Sequence, residues 1–201
     1  MLETVVETAN AVRWALVIYS WVHIVAFVLS WVHADPNNQI VHWINRVTMP
    51  LWNWVRSKSP KPLSPLAPYL ALMLILFMEI FLPGAIRSLG GIFIDQVSVN
   101  GGFLNLILYF ILGGLVVAKN IIWFVFLISI VWFFLSFVNP SLNNPIVQTL
   151  MWFIDPLITS LQRILPRAKV DLSPLLLAVL CFAATRLIGF ILLPVQSKLI
   201  I

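Results

Sequence analysis

Long apolar runs separated by short polar ones set the rhythm of this chain. Val12 to Val32, Leu63 to Ile86, Asn120 to Val138 and Leu172 to Pro194 are each predominantly apolar. Each holds about 20 residues, the length a helix needs to cross the hydrocarbon of a bilayer. Backbone groups in lipid have no water to bond, so a helix, which satisfies them internally, is the predicted form. A fifth apolar stretch, Phe103 to Ala118, is short, contains Asn105 and the Gly113-Gly114 pair, and runs into Lys119. It reads as an interfacial or tilted lead-in to the third span.

A different pattern fills the gaps within each half of the chain. After Asn144, the residues Ile146, Leu150, Phe153, Leu157, Leu161 and Leu165 recur at helical spacing, while Gln148, Thr159, Gln162 and Arg163 avoid the stripe. The first half repeats this with Ile40, Ile44, Val47, Leu51, Trp54 and Val55, set against His42, Asn45, Arg46, Asn53 and Arg56. Such helices are expected to lie in the membrane plane, apolar side among the acyl chains. Pro50 and Pro156 each remove a backbone donor and should kink them. Asn144 followed by Pro145 reads as N-cap then first helical residue: Asn accepts from an orphan N–H, and Pro has none to orphan. Ser64-Pro65 and Ser173-Pro174 repeat that logic at the second span of each half.

The two halves align without a gap. FVLSWVHADPNNQIVHWINRVTMPLWNWVRSKSP set on FFLSFVNPSLNNPIVQTLMWFIDPLITSLQRILP puts Ser30 on Ser136 and Asn37-Asn38 on Asn143-Asn144. It puts Pro50-Leu51 on Pro156-Leu157 and Pro60 on Pro166. After a short insertion, Leu63-Ser64-Pro65 meets Leu172-Ser173-Pro174. Chance likeness of apolar segments explains matched Ile, Val and Leu. It does not explain paired asparagines, prolines and Leu-Ser-Pro in one order. The expected organisation is two repeats, residues 1–102 and 103–201. The expected fold is all-α: four transmembrane helices in two parallel repeats, each a span, an amphipathic interfacial helix and a span.

Composition agrees. Of 201 residues, 61% are hydrophobic and 9% charged, against roughly 25% charged in a soluble domain, which needs charge to cover its surface. Nine tryptophans suit anchoring at the headgroup level for part of their number, packing for the rest. The start, MLETVVETANAVR, carries acids where a signal peptide has a basic region, so the first apolar run is expected to stay as a span. Lone Cys181, inside an apolar run, reads as a small buried hydrophobe. Basic residues concentrate in two loops, Arg46, Arg56, Lys58 and Lys61 in one, and Arg163, Arg167 and Lys169 in the other. That places both loops in the cytoplasm and both termini outside. Anionic headgroups are the partners expected at those loops. Sparse basic residues flanking membrane helices do not suit nucleic acid.

The stretch FLSFVNPSLNNPIVQTLMWFIDPLITSLQRILPRAKVDLSPLL resembles the signature of the YggT family of small membrane proteins. The elements that carry the resemblance are Ser136 with Val138-Asn139-Pro140, Asn144-Pro145-Ile146-Val147, Asp155-Pro156-Leu157, the Arg163 to Leu165-Pro166 turn and Asp171-Leu172-Ser173-Pro174. The first half is a weaker copy: Gln39 stands for Pro145, Met49 for Asp155 and Pro62 for Asp171. The resemblance implies a bacterial inner-membrane or plastid-membrane location. It also implies accessory roles in osmotic-stress tolerance, division, or haem attachment to a cytochrome b, rather than catalysis.

Few residues are candidates for chemistry. Glu79 and Arg186 sit inside spans, where a charge is costly unless paired, wetted or functional. Glu79 is 16 residues past Leu63 and Arg186 is 14 past Leu172, so parallel repeats would bring them to similar depth, and an interhelical ion pair is expected. The alternative is a Glu79 that snorkels outward beside Pro83. His23, His33 and His42 lack metal-ligand spacing, and His23 reads as packing or hydrogen bonding. No paired carboxylates or Ser/His/Asp arrangement appear, and no metal or other cofactor is expected. The turn of the second half gathers Asn144, Pro145, Asp155, Pro156, Arg163, Asp171 and Ser173. There Asp155 either meets a cation (Arg163, Arg46 or Arg56) or is a solvated Asp before Pro. The expectation is an accessory protein, without catalysis, working with other membrane proteins or further copies of itself; a channel or transporter component is the alternative.

Overall fold

The computed structural model describes residues 1–138, 143–162 and 172–199. Among these, every regular element is helical. They run α1 (Leu2–Trp31), α2 (Gln39–Lys58), a 3-10 segment (Lys61–Leu66), α3 (Ala67–Phe93), α4 (Val99–Val138), α5 (Pro145–Gln162) and α6 (Ser173–Ser197). Four of them, α1, α3, α4 and α6, are long and apolar enough to cross a membrane. They hold the four spans read from the apolar pattern except at the edges, where Val32, Leu63 to Leu66 and Leu172 fall outside these helices.

Two boundaries differ from the sequence reading. Phe103 to Ala118 is not a separate lead-in; it is the first half of α4, a 40-residue helix. At 1.5 Å per residue that is about 60 Å, roughly twice the hydrocarbon thickness. Two of the small and polar residues in this stretch sit inside the packing. Gly113 lies where a Cβ would press on the Phe77 ring, and Asn105 is buried. The second difference is at Ser64, which lies in the 3-10 segment, donating its N–H to the Pro60 carbonyl at 3.1 Å, rather than capping α3. Pro62 and Pro65 have no N–H, so a regular helix cannot start there with a full ladder. α3 begins at Ala67, with Pro68 in its first turn, where the missing donor costs nothing.

The chain divides into two compact units. The first comprises Met1–Ser30, Ala34–Val117 and the end of α6 from Leu192. The second comprises Trp31–His33 and Ala118–Ile191. In the first unit α1 and α3 run antiparallel. Ala26 clusters with Ala67 and Ala71 at one end, small residues that let two backbones approach. At the other end Arg87 Nη2 donates to Asn10 Oδ1 at 2.7 Å. Trp52 and Val55 of α2 close that core, with Ile44, Leu51, Leu70 and Leu74 around it. The first half of α4 returns along α3: Phe110 meets Phe77 and Phe81 edge-on, with ring centres 5.3 and 5.9 Å apart.

In the second unit Ile128, Leu150, Ile154 and Ile158 form the core. The rings of Trp31, Phe124 and Phe153 pack around it, tilted or edge-on, with centres 5.5 to 6.0 Å apart. The two units repeat local details in the register of the sequence alignment. Asn38 Oδ1 accepts from Ile40 N–H at 2.9 Å, and Asn144 Oδ1 from Ile146 N–H at 2.9 Å. Val41, Thr48 and Trp52 are buried on α2; the positions aligned with them on α5, Val147, Ile154 and Ile158, are buried too. His23 bonds the carbonyl of Tyr19, and the aligned Ser129 bonds that of Val125, each one turn back.

Candidate functional site

α2 shows how the sequence builds an amphipathic element. Its apolar residues cover a half-circle of the helix. One half of that arc, Val41, Thr48, Trp52 and Val55, is buried in the first unit, and Thr48 satisfies its hydroxyl on the Ile44 carbonyl at 3.0 Å. The other half, Ile40, Trp43, Val47 and Trp54, is exposed. The opposite side carries His42, Asn45, Arg46, Asn53 and Arg56. Arg46 lays its guanidinium over the Trp43 ring, 5.7 Å from its centre. The expected stripe is divided: Ile40, Val47 and Trp54 face out, while Val55 is buried and Ile44 and Leu51 pack against the core beside Trp52. Of the tryptophans weighed as interface anchors, Trp14, Trp21, Trp43, Trp54, Trp123 and Trp152 are exposed and Trp52 is core.

Behind the packed side lies a pair of buried polar rings. His23 is 1% exposed and Trp52 4%. Their ring centres are 6.3 Å apart and nearly perpendicular, and Tyr19 packs edge-on to His23 at 4.3 Å. His23 Nδ1 is 3.0 Å from the Tyr19 carbonyl. A carbonyl only accepts, so Nδ1 carries the proton and Nε2 is left with a lone pair. That Nε2 and the Trp52 Nε1–H are both buried without a partner. One accepts and the other donates. Sequence reasoning had His23 as a packing or hydrogen-bonding residue, but nothing in the spacing pointed to Trp52 as its neighbour. Asn10 with Arg87 was missed as well, for the same reason: partners on separate helices leave no periodic trace.

Glu79, in the middle of α3, has Oε1 buried without a partner, and Arg87, two turns on, has its Nε buried likewise. Arg186 on α6 is exposed and lies over the Phe182 ring one turn back, 5.1 Å from its centre. Glu79 belongs to the first unit and Arg186 to the second. In the second unit's turn, Asn144 caps α5 and Pro145 is its first residue. Asp155 and Pro156 are exposed on α5, and Ser173 is buried at the start of α6. Arg163 and Asp171 lie outside the described residues, as do Asn139 and Pro140. Among the described residues no three His, Cys, Asp or Glu side chains come together.

Among the described residues every regular element is a helix, and four helices of spanning length and apolarity mark a membrane-embedded protein. Residues 6–86, which hold most of α1, all of α2 and most of α3, match the model of the CCB3/YggT family, consistent with a YggT-family protein. The match falls on the half that departs from the quoted motifs at Gln39, Met49 and Pro62. No curated protein and no solved structure was matched.

Proposed function

We propose that this protein is an accessory subunit of the bacterial inner membrane, supporting assembly, stability or stress tolerance of a larger membrane complex without catalysis of its own. In this reading residues 1–102 and 103–201 are two parallel repeats. α2 and α5 lie in the membrane plane, the basic loops are cytoplasmic and both termini lie outside. The shared caps and shared buried positions of α2 and α5 support the duplication. The observation that carries the accessory role is the outward apolar arc of α2, Ile40, Trp43, Val47 and Trp54, on a helix otherwise fixed in its unit. Exposed apolar residues grouped on one rigid element suit contact with lipid or another membrane protein. Three hydroxyls inside the spans bond their own helix instead of facing a path. Ser88 binds the Gly84 carbonyl, Ser129 that of Val125 and Thr185 that of Phe182. This weighs against the alternative of a channel or transporter component.

The test is migration on native gels in mild detergent, with Trp54→Asp beside the parent. The parent is expected in an assembly larger than itself, and Trp54→Asp in a smaller one. A parent that migrates alone at every detergent strength sinks the accessory reading. Ion or solute flux in liposomes of the purified protein would favour the alternative.

A further inference from the structure

The outer side of α1 in the first unit carries a groove. Ile18, Trp21, Val22 and Val25 recur at i, i+3, i+4 and i+7, one face of the helix, and Ile44 of α2 closes the end. Its lining has no polar surface, and its volume is about 310 Å³. This face is the reverse of the packed one, where Ser20, His23 and Ala26 are buried. Ile18 is 64% exposed and Trp21 63%. A wall rising from the apolar side of an in-plane helix makes a corner at the depth of acyl chains.

Apolar lining alone selects no lipid, because acyl chains are as apolar as the wall. Selection has to come from the headgroup, and α2 supplies charge of one sign. It carries Arg46, Arg56 and Lys58 and no acidic residue. The nearest acid in sequence, Asp35, is turned onto the Asn37 N–H at 2.9 Å. Around the helix, Ile44 sits at the inner border of the exposed arc, Trp43 at its outer border and Arg46 just beyond, held over the Trp43 ring. Arg46 is the basic residue of α2 nearest Ile44 in sequence, two positions on.

We infer that the first unit binds one anionic phospholipid, its acyl chain against Ile18, Trp21, Val22, Val25 and Ile44 and its phosphate at Arg46. The inference rests on the in-plane placement of α2. Native mass spectrometry tests it, on protein released from nanodiscs of equal parts phosphatidylglycerol and phosphatidylcholine. The parent is expected to retain one phosphatidylglycerol, preferred by about fivefold, the share of one basic residue at a membrane surface. Arg46→Gln should bring the two lipids level, and Val22→Trp, which fills the groove, should lose both. Val25→Trp serves if Val22→Trp does not purify as a single species. Equal retention of both lipids by the parent, or undiminished phosphatidylglycerol on the groove-filled variant, overturns the site. The placement of α2 is read separately, by labelling Asn53→Cys in the nanodiscs, where both faces are open, with a membrane-impermeant maleimide in a Cys181→Ala background. Labelling without lipid retention ends the lipid site alone, and failure to label ends the placement.

Discussion

Gly84 of α3 lies directly against the ring of Tyr109 on α4. A Cβ at position 84 would collide with three atoms of that ring. Both residues are buried, and the contact fixes how the first half of α4 runs along α3. Gly84→Ala is expected to destabilise the protein by about 1 to 3 kcal/mol, the range for overpacking a tight contact. Thermal unfolding in detergent measures it. Combined with Tyr109→Ala, which opens the space, the cost should be less than the sum of the two single changes. Simple additivity would mean that the two residues do not meet.

His23 and Trp52 present an unpartnered acceptor and an unpartnered donor inside the first unit's core. Leaving polar groups unpaired costs free energy, whereas an apolar group of the same shape removes the penalty. His23→Leu is therefore expected to change stability by less than about 1 kcal/mol. His23→Ala, which leaves a cavity, should cost about 2 to 4 kcal/mol. If His23→Leu is stable yet loses the native-gel assembly, Nε2 serves the protein's role and not merely its fold.

The spans were legible because length and apolarity decide them locally. So was the Asn144 cap, a property of two adjacent residues. The face that α2 packs was not. Its apolar arc covers a half-circle, and periodicity gives the arc without saying which part meets α1 and α3. Thr48 also hides in the packed part, because its hydroxyl is satisfied on its own helix. The continuity of α4 was obscured by Gly113, whose composition signals a break but whose lack of a side chain admits Phe77. Asn10–Arg87 and Gly84–Tyr109 join separate helices, and a single sequence does not record such partners.

Asp95 ends α3 with φ of 54°, the left-handed conformation that glycine adopts without strain. The turn is closed around it by the Gln96 N–H on the Gly91 carbonyl at 3.0 Å. The residue is exposed, so its side chain has little packing to lose. Asp95→Gly should stabilise by about 1 kcal/mol, and Asp95→Ala should destabilise, because Asp tolerates this region better than Ala. A melting series with Ala above Gly would refute the strain argument.

The ion pair proposed between Glu79 and Arg186 rests on their sequence spacing. Within its own unit each has a separate account, Glu79 with an unpartnered oxygen and Arg186 over Phe182. Glu79→Gln and Arg186→Gln, alone and together, separate the readings. If the two charges meet, the singles each destabilise and the double costs less than their sum by about 0.5 to 3 kcal/mol. If they do not, Glu79→Gln removes an uncompensated charge, stability holds or rises, and the effects add.

Asp155 and Pro156 offer two explanations for one turn of α5, and the structure separates their surroundings. Asp155 is exposed, so removing its charge should shift stability by no more than about 0.5 kcal/mol. Pro156 lies inside the helix. It has no N–H to give the carbonyl one turn back, and its ring crowds that turn, so a bend is expected there. The buried residues fall on both sides of the bend, Val147, Leu150 and Ile154 before it and Ile158 after it. Leu150, Ile154 and Ile158 join the core around Ile128, so that core draws on both sides of Pro156. Pro156→Ala restores the donor and straightens the helix, which turns Ile158 away from that core. We expect Asp155→Asn to accumulate and assemble like the parent. Pro156→Ala should keep its helical circular dichroism but lose the larger species on native gels. The reverse pattern, with Asp155→Asn failing and Pro156→Ala unaffected, would give the role to the charge.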